Sequence, residues 1–160
     1  MMGGGGLPWP YVLIGLGLFL GFLYQRHLRR LADMRALATR FGFHYLGDAL
    51  PRFFSLDGTG LSRATSVWNV IDGERYGVRI LIFDCRIGKG KHSWTRTAIA
   101  AQTKADVFGA MLFEHCFMSE NSGDWRLLYW PEPSLFGPFR PGLTPLQELE
   151  AQMDKLIRSL

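Results

Sequence analysis

Two cysteines, four histidines and a thin scatter of acidic residues are the side chains in this 160-residue sequence that could serve as nucleophiles, metal ligands or general acids and bases. Their spacing argues against each role. His27, His44, His92 and His115 lie far apart, and no pair stands at a metal-ligand interval with a third ligand close in sequence. Cys85 and Cys116 form neither a CxxC nor another ligand spacing. His115 and Cys116 are neighbours, which sends their side chains to different faces of any regular element. A zinc site from Cys85, Cys116 and a histidine would need the fold to gather all three. Cys85 also sits in a run that reads as buried strand, and apolar surroundings raise a thiol's pKa and weaken it as a nucleophile.

Asp84 and Arg86 flank Cys85 and are expected to share one strand face, as a cross-strand ion pair rather than as catalytic groups. Gly88-Lys89-Gly90-Lys91 suggests phosphate binding, but a phosphate loop needs G-x-x-x-x-G-K-[ST] between a strand and a helix, so that backbone N–H groups and a helix N-terminus converge on the anion. Here the spacing is wrong and the segment is expected to join two strands. Asp57-Gly58-Thr59-Gly60 is near the D-[ST]-G pattern of aspartic proteases, yet glycine follows the aspartate and no second copy exists. A turn is the expected outcome. No catalytic residue, cofactor or metal is expected.

The elements that must position these residues are announced by the distribution of charge. At 48% hydrophobic and 20% charged, the composition would suit a globular protein if it were evenly spread, but no charged side chain precedes Arg26. Leu7 to Tyr24 (LPWPYVLIGLGLFLGFLY) is an apolar run of 18 residues, which as a helix reaches about 27 Å against a hydrocarbon core of about 30 Å. Pro8 and Pro10 fall in the first turn, where a missing N–H does least harm. Trp9 and Tyr11 at one end and Tyr24 at the other fit interfacial aromatic belts. A cleaved signal peptide would carry its positive charge before the run, whereas here the charge follows it.

Five arginines (Arg26, Arg29, Arg30, Arg35, Arg40) stand against Asp33 alone between Gln25 and Arg40. Of the chain's 18 basic and 14 acidic residues these are five and one, so Phe41 to Leu160 holds 13 of each and is neutral. The sequence pI of about 9.3 is therefore a property of this linker and no sign of nucleic-acid binding, which would favour a basic patch on the folded part. Arginines beside a span stay in the cytoplasm, which places the residues before the span outside and Arg26 onward inside, in a bacterial-type inner (plasma) membrane. Arg26, Arg29, Arg30 and Arg35 are also expected to contact anionic lipid headgroups. Gly17 and Gly21 form a GxxxG motif through which two spans could pack as a homodimer.

Beyond the span, Leu28, Leu31, Met34, Leu37, Ala38 and Phe41 recur at steps of three and four, so an amphipathic helix is expected to run on to Arg40 and stop at Gly42. Phe43 to Leu61 and Asp106 to Cys116 carry no decisive pattern. Ala64–Ile71, Tyr76–Ile87 and Ser93–Gln102 read as strands separated by Asp72-Gly73-Glu74 and by the Gly/Lys turn, the middle one central. Asp124–Trp130 reads as a further strand. Thr144 as N-cap, Pro145 at the first helical position and Gln147 at the third mark a last helix, with Leu146, Leu149, Met153, Leu156, Ile157 and Leu160 on one face. The expected fold is α+β: residues 1–24 a tail and transmembrane helix, 25–41 a basic juxtamembrane helix, and 42–160 a small cytoplasmic domain with an antiparallel β-meander packed by the C-terminal helix.

This order of parts, with Val78 to Cys85 (VRILIFDC) leading through Gly88-Lys89-Gly90-Lys91 into Thr95-Arg96-Thr97, resembles uncharacterised single-span bacterial membrane proteins with a small cytoplasmic α+β domain. The resemblance implies an anchored domain and carries no catalytic residues. The expected function is a membrane-anchored binding or scaffold module that docks a protein partner or the lipid surface. The alternative is a membrane-associated hydrolase or transferase that assembles Asp84, Arg86, His92 and Arg96.

Overall fold

β3 (Val78–Ile87) holds the fold together because it is apolar on both sides: every residue from Ile80 to Cys85 is buried, and strands pair with it on either edge. The computed structural model describes residues 9–90, 93–102, 118–129 and 143–158, with the side chain of Met118 excepted. In chain order these form α1 (Trp9–Phe41), β1 (His44–Gly47), a 3-10 turn (Gly60–Arg63), β2 (Ala64–Arg75), β3, β4 (Trp94–Gln102), β5 (Met118–Ser122), β6 (Trp125–Tyr129) and α2 (Leu146–Arg158). The chain divides into two compact units, Met1–Asp33 and Met34–Leu160.

The first unit holds the apolar part of α1. This helix is long and apolar enough to cross a membrane, and the apolar window has no buried side chain. Trp9, Leu18, Phe22 and Tyr24 are each more than 60% exposed, the reverse of what a core helix shows.

The second unit is a six-stranded antiparallel sheet with the order β1-β2-β3-β4-β6-β5. β2, β3 and β4 follow one another as a meander, as expected, and β1, from the segment that carried no decisive pattern, extends it by pairing with β2. The last two depart from it, because β6 rather than β5 pairs with β4 and β5 takes the edge. β5, which no sequence pattern announced, pairs with β6 through a turn at Gly123-Asp124. Asp106–Cys116 lies outside the described residues.

The β2–β3 turn is also displaced from its expected place. Asp72-Gly73-Glu74 continues β2, and the chain reverses at Tyr76-Gly77, where φ is +55° and +76°. Two consecutive left-handed residues make a type I′ hairpin, whose twist matches that of the strands it joins. Gly73 serves close approach instead: a Cβ there would run into the Phe43 ring, which lies across the strand.

Each face of the sheet has its own core. On one, Ile71, Ile80, Ile82, Ile99 and Leu128 pack under Met34, Leu37 and Ala38 of α1, Phe43, and Leu149, Met153 and Leu156 of α2. The α2 residues are those its periodicity placed inward. On the other, Leu81, Phe83, Cys85, Ala98, Ala100 and Leu127 are covered by Phe54 and Leu61 from the segment between β1 and β2. The last turn of α1 is closed by Gly42 at φ +69°: Phe43 N–H donates to Ala38 O (2.8 Å) and Gly42 N–H to Thr39 O (3.2 Å), the paired bonds of a Schellman motif.

Candidate functional site

On the helix-covered face the apolar layer gives way to a line of polar side chains that crosses four strands. β3 places Asp84 one step beyond Ile82 on that face, with no exposed surface. A buried carboxylate needs donors to replace water. Two come from the strands on either side: Asn69 Nδ2 donates to Asp84 Oδ2 at 3.0 Å, and Thr97 Oγ1, the register partner on β4, donates to Oδ1 at 2.7 Å.

Asn69 can reach Asp84 because β2 is bulged there. The register shifts between Trp68 and Ile71, and Asn69 takes φ +54°, a left-handed conformation that asparagine tolerates better than most residues. Its amide is oriented from the far side by Tyr45 of β1, whose hydroxyl donates to Asn69 Oδ1 at 3.0 Å. Arg35 of α1 lies 5.2 Å from the centre of the Tyr45 ring. Burial raises the Tyr45 hydroxyl's pKa, and Arg35 opposes that rise. At the other end, Thr144 N–H, just before α2, donates to Thr97 Oγ1 at 3.1 Å.

The opposite face carries a second polar contact. Glu120 Oε2 accepts the Gly60 N–H at 2.7 Å, and the Tyr129 hydroxyl donates to the same carboxylate. Burial, and after it Glu120, pushes the Tyr129 pKa up. Gly60 is required here, since a Cβ would run into the Tyr129 hydroxyl. Nearby, Arg79 grips Asp72 through two bonds (3.1 and 2.8 Å) and lies 3.8 Å over the Phe53 ring, which stacks on Trp125.

The residues singled out from sequence fall as follows. Asp84 and Arg86 do share a face, but Asp84 is buried and Arg86 exposed, and both described hydrogen bonds of Asp84 go to Asn69 and Thr97. Arg96 pairs with Cys85 in the β3–β4 register and so points to the other face, while His92 lies outside the described residues. Asp84, Arg86 and Arg96 therefore do not converge. Cys85 is fully buried, and desolvation pushes its thiol from 9.0 up to about 12, which makes it inert. Cys116 and His115 lie outside the described residues, and among those described no group of three or more His, Cys, Asp or Glu could hold a metal.

Gly88 and Gly90 take positive φ in the link between β3 and β4, as a hairpin connection requires, and Gly58 does so in the turn that leads to the 3-10 turn capped by Thr59. Arg26, Arg29 and Arg35 are exposed and Arg30 is half-buried. Around Gly17 and Gly21 a Cβ would meet open space. The polar chain through Asn69 was missed in the sequence, since nothing local marks a bulge. No family model, no curated protein and no solved structure matches this chain.

Proposed function

We propose that this chain is a membrane-anchored binding or scaffold module, with the apolar part of α1 as a single span and the second unit as a cytoplasmic domain that docks a protein partner or the lipid surface. The observation that carries the reading is the solvent-facing apolar surface of α1, followed on the same helix by the basic residues Arg26, Arg29 and Arg30. Exposed apolar surface of that extent is costly in water and is satisfied by hydrocarbon. Arginines beside it favour the cytoplasmic side and contact anionic headgroups, with Arg35 as a fourth contributor. Binding rather than catalysis is supported by a neutral domain whose Cys85 is inert, whose Arg96 faces away from Asp84 and Arg86, and whose Asp84 is buried while Arg86 is exposed. The membrane is that of a bacterial cell in this reading, and the open surface at Gly17 and Gly21 would admit a second copy of the span. The experiment is isolation of the full chain from native membranes with its bound proteins and lipids identified by mass. A stoichiometric protein or an enriched anionic lipid supports the reading. Recovery in the soluble fraction with neither overturns it.

A further inference from the structure

The hydrogen bonds around Asp84 have a direction fixed by chemistry. Asn69 Nδ2 and the Thr144 backbone N–H can only donate, and Asn69 Oδ1 can only accept. Tyr45 therefore donates to Asn69, and Asn69 to Asp84. Thr97 Oγ1 accepts from Thr144, which leaves its own proton for Asp84. Among the described bonds, the donors of both arms point toward one carboxylate. Within each arm the bonds are aligned and polarise one another, so that loss of one weakens the next, and the two arms are joined by the position of the carboxylate they share.

The two ends belong to the two helical pieces of the second unit. At one end Tyr45 carries the guanidinium of Arg35, on the last turns of α1. At the other, Thr144 stands two residues before α2, where Leu149 N–H donates to Pro145 O (2.9 Å) and Leu149, Met153 and Leu156 cover the sheet. Between them stands Asn69 in its left-handed bulge. Its side chain bonds on both sides, and strain of this kind persists only where its surroundings hold it.

We propose that this line is a conformational device: two hydrogen-bond arms, Tyr45 through Asn69 and Thr144 through Thr97, that converge on the Asp84 carboxylate and make the seating of the start of α2 depend on the contact between Arg35 and Tyr45. Tyr45, Asn69 and Thr97 are positioning residues, and Asp84 is their common acceptor. Release of Tyr45 frees the Asn69 amide to turn and takes its donor from Asp84 Oδ2, so that the carboxylate is no longer held in one orientation and Thr97, with the Thr144 backbone it accepts from, loses the fixed position of its own acceptor. A partner or lipid that drew Arg35 away from Tyr45 would thus reach α2 without touching it.

The test is amide hydrogen exchange on the full chain in detergent micelles, with Tyr45→Phe, Thr97→Val, Thr97→Ser and the Tyr45→Phe/Thr97→Val double variant. Tyr45→Phe removes one hydroxyl far from α2 in sequence, and the proposal expects exchange in the first turns of α2 to rise by roughly tenfold, the order set by one buried hydrogen bond. Thr97→Val should do the same, Thr97→Ser should match the natural chain, and the double variant should exchange no faster than Thr97→Val alone. The proposal is overturned if Tyr45→Phe alters only β1 and β2, if Thr97→Ser behaves as Thr97→Val, or if the two single effects multiply. Should Thr97→Val fail to fold, Tyr45→Phe and Thr97→Ser decide the matter on their own.

Discussion

Asp84 and Cys85 are adjacent in sequence and stand on opposite faces of β3, one received by hydrogen-bond donors and the other by apolar side chains. The difference has a measurable consequence for Cys85. Its folded-state pKa is raised, so the folded form keeps the proton while the unfolded chain loses it once the pH passes about 9. The contribution is fully present below that point and is lost as the pH rises toward about 12. Over this window one such group steepens the fall in stability by about 1.4 kcal/mol per pH unit. Cys85→Ala should therefore show a shallower alkaline decline than the natural chain, though it starts from lower stability because of the cavity. Denaturant titrations at successive pH values read this directly; parallel declines for the two proteins would assign the alkaline loss to Tyr129 and other groups.

Among the elements, those that declare themselves locally were legible in the sequence. Gly42 ends α1 because only an unhindered residue takes φ +69° there cheaply, and α2 begins just after Thr144-Pro145, at Leu146, one residue later than a Thr144 cap expects, with Leu149 N–H donating to Pro145 O. β2, β3, β4 and β6 were legible as strands, but their limits were not. Asp72-Gly73 looks like a turn and is not one, because Phe43, thirty residues earlier, needs the missing side chain. β5 (Met-Ser-Glu-Asn-Ser) has no apolar alternation, since its place at the sheet edge comes from pairing with β6. Asn69 carries no signal at all; its bulge is defined by Tyr45 and Asp84, 24 and 15 residues away. Of the candidate site, then, the sequence exposed the residue types and left their convergence to tertiary pairing. The same reasoning predicts where the folded unit must begin. Met34, Leu37 and Ala38 are buried in its core, so a fragment starting at Asp33 should unfold cooperatively, whereas one starting at Gly42 should be less stable by at least about 4 kcal/mol, the combined order of two large-to-small core losses. Urea unfolding of the two fragments checks this, and equal midpoints would contradict it.

Across the whole chain, charge and apolar surface are segregated along α1. The linker between Gln25 and Arg40 carries the protein's entire net charge of +4, and everything from Phe41 onward is balanced. If those arginines meet lipid as well as set orientation, a peptide spanning Gln25 to Gly42 should bind vesicles containing anionic lipid and leave as salt shortens the Debye length below about 8 Å. Exchange of Arg26, Arg29 and Arg30 for glutamine should weaken that binding by up to about 3 kcal/mol. Equal binding to neutral and anionic vesicles would leave the arginines with topology alone. Orientation is the claim on which the rest depends, because the headgroup contact and a cytoplasmic partner both presuppose it. The most direct measurement is alkaline phosphatase fused after Leu160 of the full chain in bacterial cells, an enzyme that is active only outside the cytoplasm. The account predicts a fusion that sediments with membranes and is inactive; a membrane-bound fusion with full phosphatase activity would contradict it.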